Sequence, residues 1–168
     1  MSRRPRLYLA GPEVFLPDAL AIGGAKQELC ARHGFDGVLP LDGSLDLTGL
    51  PKRDRARRIS AANEAVMRSC AGLIANLTPF RGVSMDVGTA FEVGFMRALG
   101  RPVLGYTNVV ADYRRRAEAY RRAGASAADA DAPDVTIEDF GLRHRSQLVI
   151  MEIEWASGTS CVRFASTI

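Results

Sequence analysis

The sequence offers little to a disulfide or a metal. Its three cysteines, Cys30, Cys70 and Cys161, are odd in number and far apart. No disulfide framework and no thiolate metal site follows, and a reducing compartment is the simplest reading. The two histidines, His33 and His144, have no partner set along the chain, so no metal and no cofactor is expected. Long apolar runs are also missing, which excludes a helical membrane span. The basic start Ser2–Arg6 ahead of Leu7–Ala10 has the outline of a signal peptide, but Gly11, Pro12 and Glu13 cut the apolar run short. A cytoplasmic, soluble protein is expected. A large excess of one sign of charge is lacking too. A net charge of +3 with a pI near 9.0 is too weak a bias to argue for nucleic acid.

What is present is apolar content. With 168 residues, 47% of them hydrophobic, the chain can bury a core of its own. No internal repeat and no second domain is visible, so a single domain over 1–168 is expected. Leu7–Ala10 reads as a short strand stopped by Gly11-Pro12. Pro17–His33 has a helical pattern through Ala19, Leu20, Ala25, Leu29 and Cys30, closed by Gly34. Gly37–Pro40 is a second strand, followed by a loop over Leu41–Pro51. Arg53–Cys70 is a helix with Ile59, Ala62, Val66 and Met67 on one side. Gly72–Ala75 is a third strand, Pro102–Tyr106 a fourth, and Val109–Ala123 a basic helix. Gln147–Trp155 is apolar and fits either strand or helix. Strands alternating with helices argue for a parallel sheet covered on both faces.

The most informative stretch runs from Ala75 to Phe95. A loop punctuated by Pro79 and Gly82 follows the third strand. Asp86 then opens a helix, as a favoured N-cap with a charge suited to the helix dipole. In that helix Val87, Ala90, Phe91, Gly94, Phe95, Ala98 and Leu99 have the spacing of a core-facing stripe, with Glu92 beside it. A carboxylate is thereby expected near the carboxyl end of a strand, where ligands of open α/β sheets bind.

Tyr8-Leu-Ala-Gly-Pro12, Asn76-Leu-Thr-Pro-Phe-Arg-Gly82 and Asp86-Val-Gly-Thr-Ala-Phe-Glu92-Val-Gly94 together resemble the nucleoside 2-deoxyribosyltransferase family. The likeness runs from about Leu7 to Tyr106, with a weaker echo at Glu138–Leu142. It implies a flavodoxin-like, five-stranded parallel sheet with helices on both faces, and an enzyme that exchanges the base of 2′-deoxyribonucleosides. Glu92 is then the nucleophile on the anomeric carbon, forming a covalent deoxyribosyl intermediate. As a bare sequence feature it would be a surface Glu at a helix edge. Asp86 is matched to the acid that protonates the leaving base, a role compatible with helix capping. Tyr8, near the end of the first strand, is placed to hydrogen-bond Glu92 and hold one rotamer. Gly11 and Gly88 would let the ligand approach the backbone, or serve as ordinary turn and packing glycines. Asn63 stands where many relatives carry Asp, and can hydrogen-bond a base without supplying a proton. Arg81, in the Pro79–Gly82 loop around the site, receives no role.

Near the C-terminus, Gln147-Leu148-Val149 is the best match to a family segment that enters a neighbouring subunit's site and binds the sugar 5′-hydroxyl. A homo-oligomer, dimer or higher, with shared active sites is therefore expected, supported by the apolar Leu148–Met151 and Trp155. Arg114–Arg116 and Arg121–Arg122 read as the solvated face of a helix whose other side is Val109, Tyr113, Ala117 and Tyr120. The partners implied are a deoxyribonucleoside and a free nucleobase, with no nucleic acid and no membrane. One alternative is a 2′-deoxynucleoside 5′-monophosphate N-glycoside hydrolase on the same fold. In such relatives Ser tends to stand at the position of Asp86, and an Asp there repels a phosphate. A further alternative is a non-catalytic nucleotide-binding domain, against which Tyr8 and Glu92 together speak.

Overall fold

The computed structural model describes residues 3–40, 45–123 and the backbone of 162–163. They fall into two compact units. Of the described residues, the first takes those up to Asn76 together with Val87–Leu104, and the second takes Leu77–Asp86 and those from Gly105 on.

The first unit is an α/β layer structure. Strands β1 (Arg6–Ala10), β2 (Asp36–Val38), β3 (Gly72–Asn76) and β4 (Val103–Tyr106) lie in the order β2-β1-β3-β4. β1 runs parallel to β2, and parallel to β3 with Ala10 opposite Ala75. β4 runs on into the second unit, where the two-residue β5 (Val162–Arg163) lies beside it. Among the described residues, four strands of three or more residues make the sheet, with Val162–Arg163 as a fifth member. The chain moves from β1 to one side, then returns to β3 on the other, so the order reverses between β1 and β3. Crevices for ligands open outside the carboxyl ends of strands at such a switch point.

Helix α1 (Ala19–Arg32) links β1 to β2, α2 (Lys52–Arg68) links β2 to β3, and α3 (Val87–Ala98) links β3 to β4. Right-handed crossovers in opposite directions put α1 on one face of the sheet and α2 with α3 on the other. Side chains alternate along a strand. Leu9 therefore faces α1 with Gly37, whose missing Cβ leaves room for Cys30 and the Gln27 backbone. Tyr8, Leu73 and Ala75 face α2 and α3, where Met67, Val93 and Met96 complete a buried core.

Two helices bury a different face from the one their apolar spacing suggests. In α1 the buried positions are Gly23 and Cys30, whereas Leu20 is 92% exposed. A Cβ at Gly23 would meet Leu39 Cδ1 at 2.6 Å, so the leucine packs directly on the glycine. In α3 the buried stripe is Thr89, Val93 and Met96, and Val87 and Phe91 are 77% and 54% exposed. This helix is apolar around most of its circumference, so spacing alone does not select the face that meets the sheet. The inner side of α2, by contrast, is the expected one, with Met67 buried and Ile59, Ala62 and Val66 half-buried.

In the second unit the Leu77–Asp86 loop is tied to the end of β4 by the Leu77 amide donating to Tyr106 O at 2.7 Å. The Phe80 amide donates to Ser84 O at 3.0 Å, closing a turn. Within it Arg81 takes a left-handed φ of 54°, and its guanidinium lies 4.8 Å from the centre of the Phe80 ring. Helix α4 (Tyr113–Arg122) begins later than expected, because Asp112 caps it by accepting from the Arg115 amide at 2.8 Å. Arg114, Arg115, Arg121 and Arg122 are exposed, as expected, and Arg114 and Arg122 pair with Glu118 one turn away. Arg116 departs from that reading. It turns inward and donates to Val83 O at 3.0 Å and to Ala111 O, bracing the loop.

Candidate active site

The carboxyl end of β1 carries chemistry on both of its sides. On the α3 side, Tyr8 donates from its hydroxyl to Glu92 Oε1 at 2.6 Å. The strand fixes the phenol and the helix fixes the carboxylate. Glu92 lies between Thr89 and Met96 on the inner side of α3, so it faces the sheet while remaining half-buried. Tyr8 is fully buried. Burial, then the Glu92 charge and the hydrogen bond to it, hold the phenol far above its ordinary value of 10.0. Tyr8 therefore stays a neutral donor at every working pH. The distance is that of a charge-assisted O–H···O⁻ bond. The pairing expected between these two residues is present.

On the α1 side lies a second cluster. Glu13 follows Gly11-Pro12 in a 3-10 turn over Pro12–Phe15. It accepts from Asn76 Nδ2 at 2.7 Å and forms an ion pair with Lys26 of α1. Asn76 ends β3 and is 6% exposed, and the Glu13 side chain is 14% exposed. Burial pushes the Glu13 carboxyl up, but the hydrogen bonds from Lys26 and Asn76 and the Lys26 charge outweigh it. The net result is a carboxyl below its ordinary value.

Gly11 completes this cluster. A Cβ built there would meet Glu13 Oε2 at 2.0 Å and Asn76 Cβ at 3.0 Å. A larger residue here would force the Glu13 carboxylate to shift, because that side chain occupies the space above the Gly11 Cα.

The other expected residues are distributed as follows. Asn63 is half-buried on the inner side of α2, the same face of the sheet as Tyr8 and Glu92. Gly88 is exposed in the first turn of α3. Asp86 immediately precedes α3, as expected of a residue that opens it, and belongs to the second unit. Gln147 and the apolar segment after it lie outside the described residues.

Sequence reasoning passed over Glu13, Lys26 and Asn76. One signal was available. Lys26 shares the inner side of α1 with Ala19, Ile22, Gly23 and Cys30. A lysine on such a stripe is seldom buried without a charged partner.

The family model described as Nucleoside 2-deoxyribosyltransferase matches residues 7–146. The chain belongs to this family. In structure, this member of it is similar to a 2-desoxiribosyltransferase from Leishmania mexicana, with a TM-score of 0.60 and 28% identity over 84% of this chain and 83% of that one. It is also similar to a 2-deoxyribosyltransferase from Bacillus psychrosaccharolyticus, with a TM-score of 0.52 and 17% identity over 65% of this chain and 78% of that one. At that identity the likeness speaks for the fold alone. In sequence, this family member is 36% identical to the uncharacterized protein C191.05c of Schizosaccharomyces pombe over 120 residues, 70% of this chain. The chain spans 57% of the length of that relative. Among the described residues no helix is long and apolar enough to cross a membrane.

Proposed function

We propose that this family member moves 2-deoxyribose between nucleobases through a covalent deoxyribosyl–Glu92 intermediate. The observation that carries the reading is the 2.6 Å hydrogen bond from Tyr8 to Glu92 at the carboxyl end of β1. A carboxylate in that setting suits attack on an anomeric carbon, and a buried neutral phenol suits holding it in one rotamer.

The chemistry balances in two steps. A Glu92 oxygen bonds to C1′ as the C1′–N bond breaks, and the departing base takes up a proton from Asp86. A second base then attacks C1′ with its ring nitrogen, the Glu92–C1′ bond breaks, and Asp86 recovers a proton from the incoming base. Each step passes through positive charge on the sugar, which the carboxylate stabilises. Asn63 and Gly88 are assigned to substrate contact, with Gly11 shaping the end of β1. Gln147 of a second copy is assigned to the sugar 5′-hydroxyl. The exposed Val87 and Phe91 of α3 support a homo-oligomer, since apolar side chains of this kind favour burial in an interface. Nucleotide salvage in the cytoplasm belongs to the same reading, with which the free Cys30 and Cys70 are compatible.

The test is a chromatographic assay of the protein with deoxyinosine, with and without free adenine. Deoxyadenosine and hypoxanthine together are expected. Hypoxanthine alone in both mixtures would replace transfer by hydrolysis. Tight nucleoside binding with no base released would reduce the protein to a binding domain.

A further inference from the structure

We propose that Glu13 is a positioning residue for the nucleoside, acting through Asn76 at the switch point between β1 and β3. The inference rests on the deoxyribosyl-transfer reading and extends it to the face of the sheet that Glu92 does not occupy.

Three observations converge. The first is place. Ala10 pairs with Ala75, so the next residues, Gly11 and Asn76, stand side by side where both strands end. That is where the strand order reverses, and where a crevice for a ligand opens. The second is fixation. Asn76 Nδ2 donates to Glu13 Oε1 at 2.7 Å, Lys26 holds the same oxygen, and Gly11 makes room for the carboxylate. An amide whose nitrogen is committed in this way cannot exchange its oxygen and nitrogen ends, so it presents one polarity to whatever it meets. The third is energetic. A largely buried ion pair loses much of its attraction to desolvation, and an apolar set of equal volume commonly serves stability as well or better. Lys26 shares the inner side of α1 with Ala19, Ile22, Gly23, Gln27 and Cys30, and reaches Glu13 in the Pro12–Phe15 turn. The use of Lys26 and Glu13 here is orientation. They fix the Asn76 amide and the Pro12–Phe15 turn as a rigid ledge, against which a hydrogen-bonding edge of the nucleoside is registered while Tyr8 and Glu92 face C1′ from the other side of β1.

The test is steady-state kinetics of base exchange by the full chain carrying Glu13→Ala, Glu13→Gln, Asn76→Ala, and the double change Glu13→Ala with Asn76→Ala. Releasing a hydrogen bond to a charged group corresponds to roughly a 10- to 100-fold effect. KM for the deoxynucleoside is expected to rise by about that factor in Glu13→Ala, with kcat within about 3-fold of wild type. Glu13→Gln keeps an oxygen to accept from Asn76 and should recover most of the loss. The double variant should be no worse than Asn76→Ala alone, because a residue that acts through another adds nothing once that other is gone. If Glu13→Ala does not fold, Glu13→Asp takes its place. It keeps the charge, is one methylene short, and is expected to raise KM with kcat retained. An unchanged KM in a folded Glu13 variant, a fall in kcat alone, or losses that multiply in the double variant would overturn the proposal while leaving the transfer reading intact. A wild-type chain that exchanges no base would overturn both.

Discussion

The two sides of the β1 carboxyl end differ in kind. On the α3 side Tyr8 donates a hydrogen bond to Glu92, and the carboxylate is only half-buried. On the α1 side Glu13 is clamped by two donors, Lys26 and Asn76, and fills the space that Gly11 leaves. The difference is one of reach. A nucleophile must be oriented and yet remain accessible to the carbon it attacks. A scaffold residue has no such need and can be tied down fully. One strand end thus holds a half-buried carboxylate on one side and a clamped one on the other.

The comparison is broken most directly at Glu92. Glu92→Gln keeps an acceptor for the Tyr8 hydroxyl but removes the carboxylate proposed as nucleophile. Transfer is expected to fall by about 10³-fold or more, with the melting temperature close to wild type. Glu92→Ala should lose activity equally and also cost about 1–3 kcal/mol of stability, because it strands the buried phenol without an acceptor. Equal stability of the two variants in a thermal melt would contradict the assigned hydrogen bond.

Asp86→Asn comes next. It keeps the size and part of the capping capacity but removes the acid. The step that expels the base should slow by about 10²–10⁴-fold, and far less for a substrate whose leaving group needs no proton. Equal losses on the two substrates in single-turnover assays would assign Asp86 to capping only. Tyr8→Phe is milder. It deletes the donor without opening a cavity, and kcat should fall by roughly 10- to 100-fold with little change in KM. A rise in KM at constant kcat would instead place Tyr8 against the substrate.

The smallest effect belongs to the other side of the strand. Glu13 has a folded-state carboxyl below its ordinary 4.5. Its contribution to stability is therefore complete above the unfolded value and is lost as pH falls through the lower folded value. Thermal melts across the acid range should show wild type losing more stability than Glu13→Gln, which has no carboxyl to protonate. Parallel curves would remove Glu13 from the acid limb.

These differences also explain what the sequence made legible. Tyr8 and Glu92 are 84 residues apart. Their pairing is legible because each belongs to a family motif, on a strand and a helix that apolar runs and turn residues mark clearly. Asn76 and Glu13 are 63 residues apart. Their meeting depends on the β1–β3 register and on the inward side of α1, and neither is written in local spacing. In α1, Leu20 and Leu29 mimic a core stripe on the outer side. In α3, Val87 and Phe91 do the same. The parallel pairing of β1 with β2 and β3 is legible in the alternation of strands and helices, whereas the order of the strands is not. The inward turn of Arg116 was hidden for a related reason, because its acceptor, Val83 O, lies in a loop.

The most direct measurement is mass spectrometry of the protein quenched during turnover of deoxyinosine, followed by peptide mapping. A deoxyribosyl adduct is expected on the peptide that contains Glu92, absent from Glu92→Gln and discharged by added adenine to give deoxyadenosine. Rapid base exchange by a Glu92→Gln protein, or an adduct mapped to a different residue in an active wild type, would contradict Glu92 as the nucleophile.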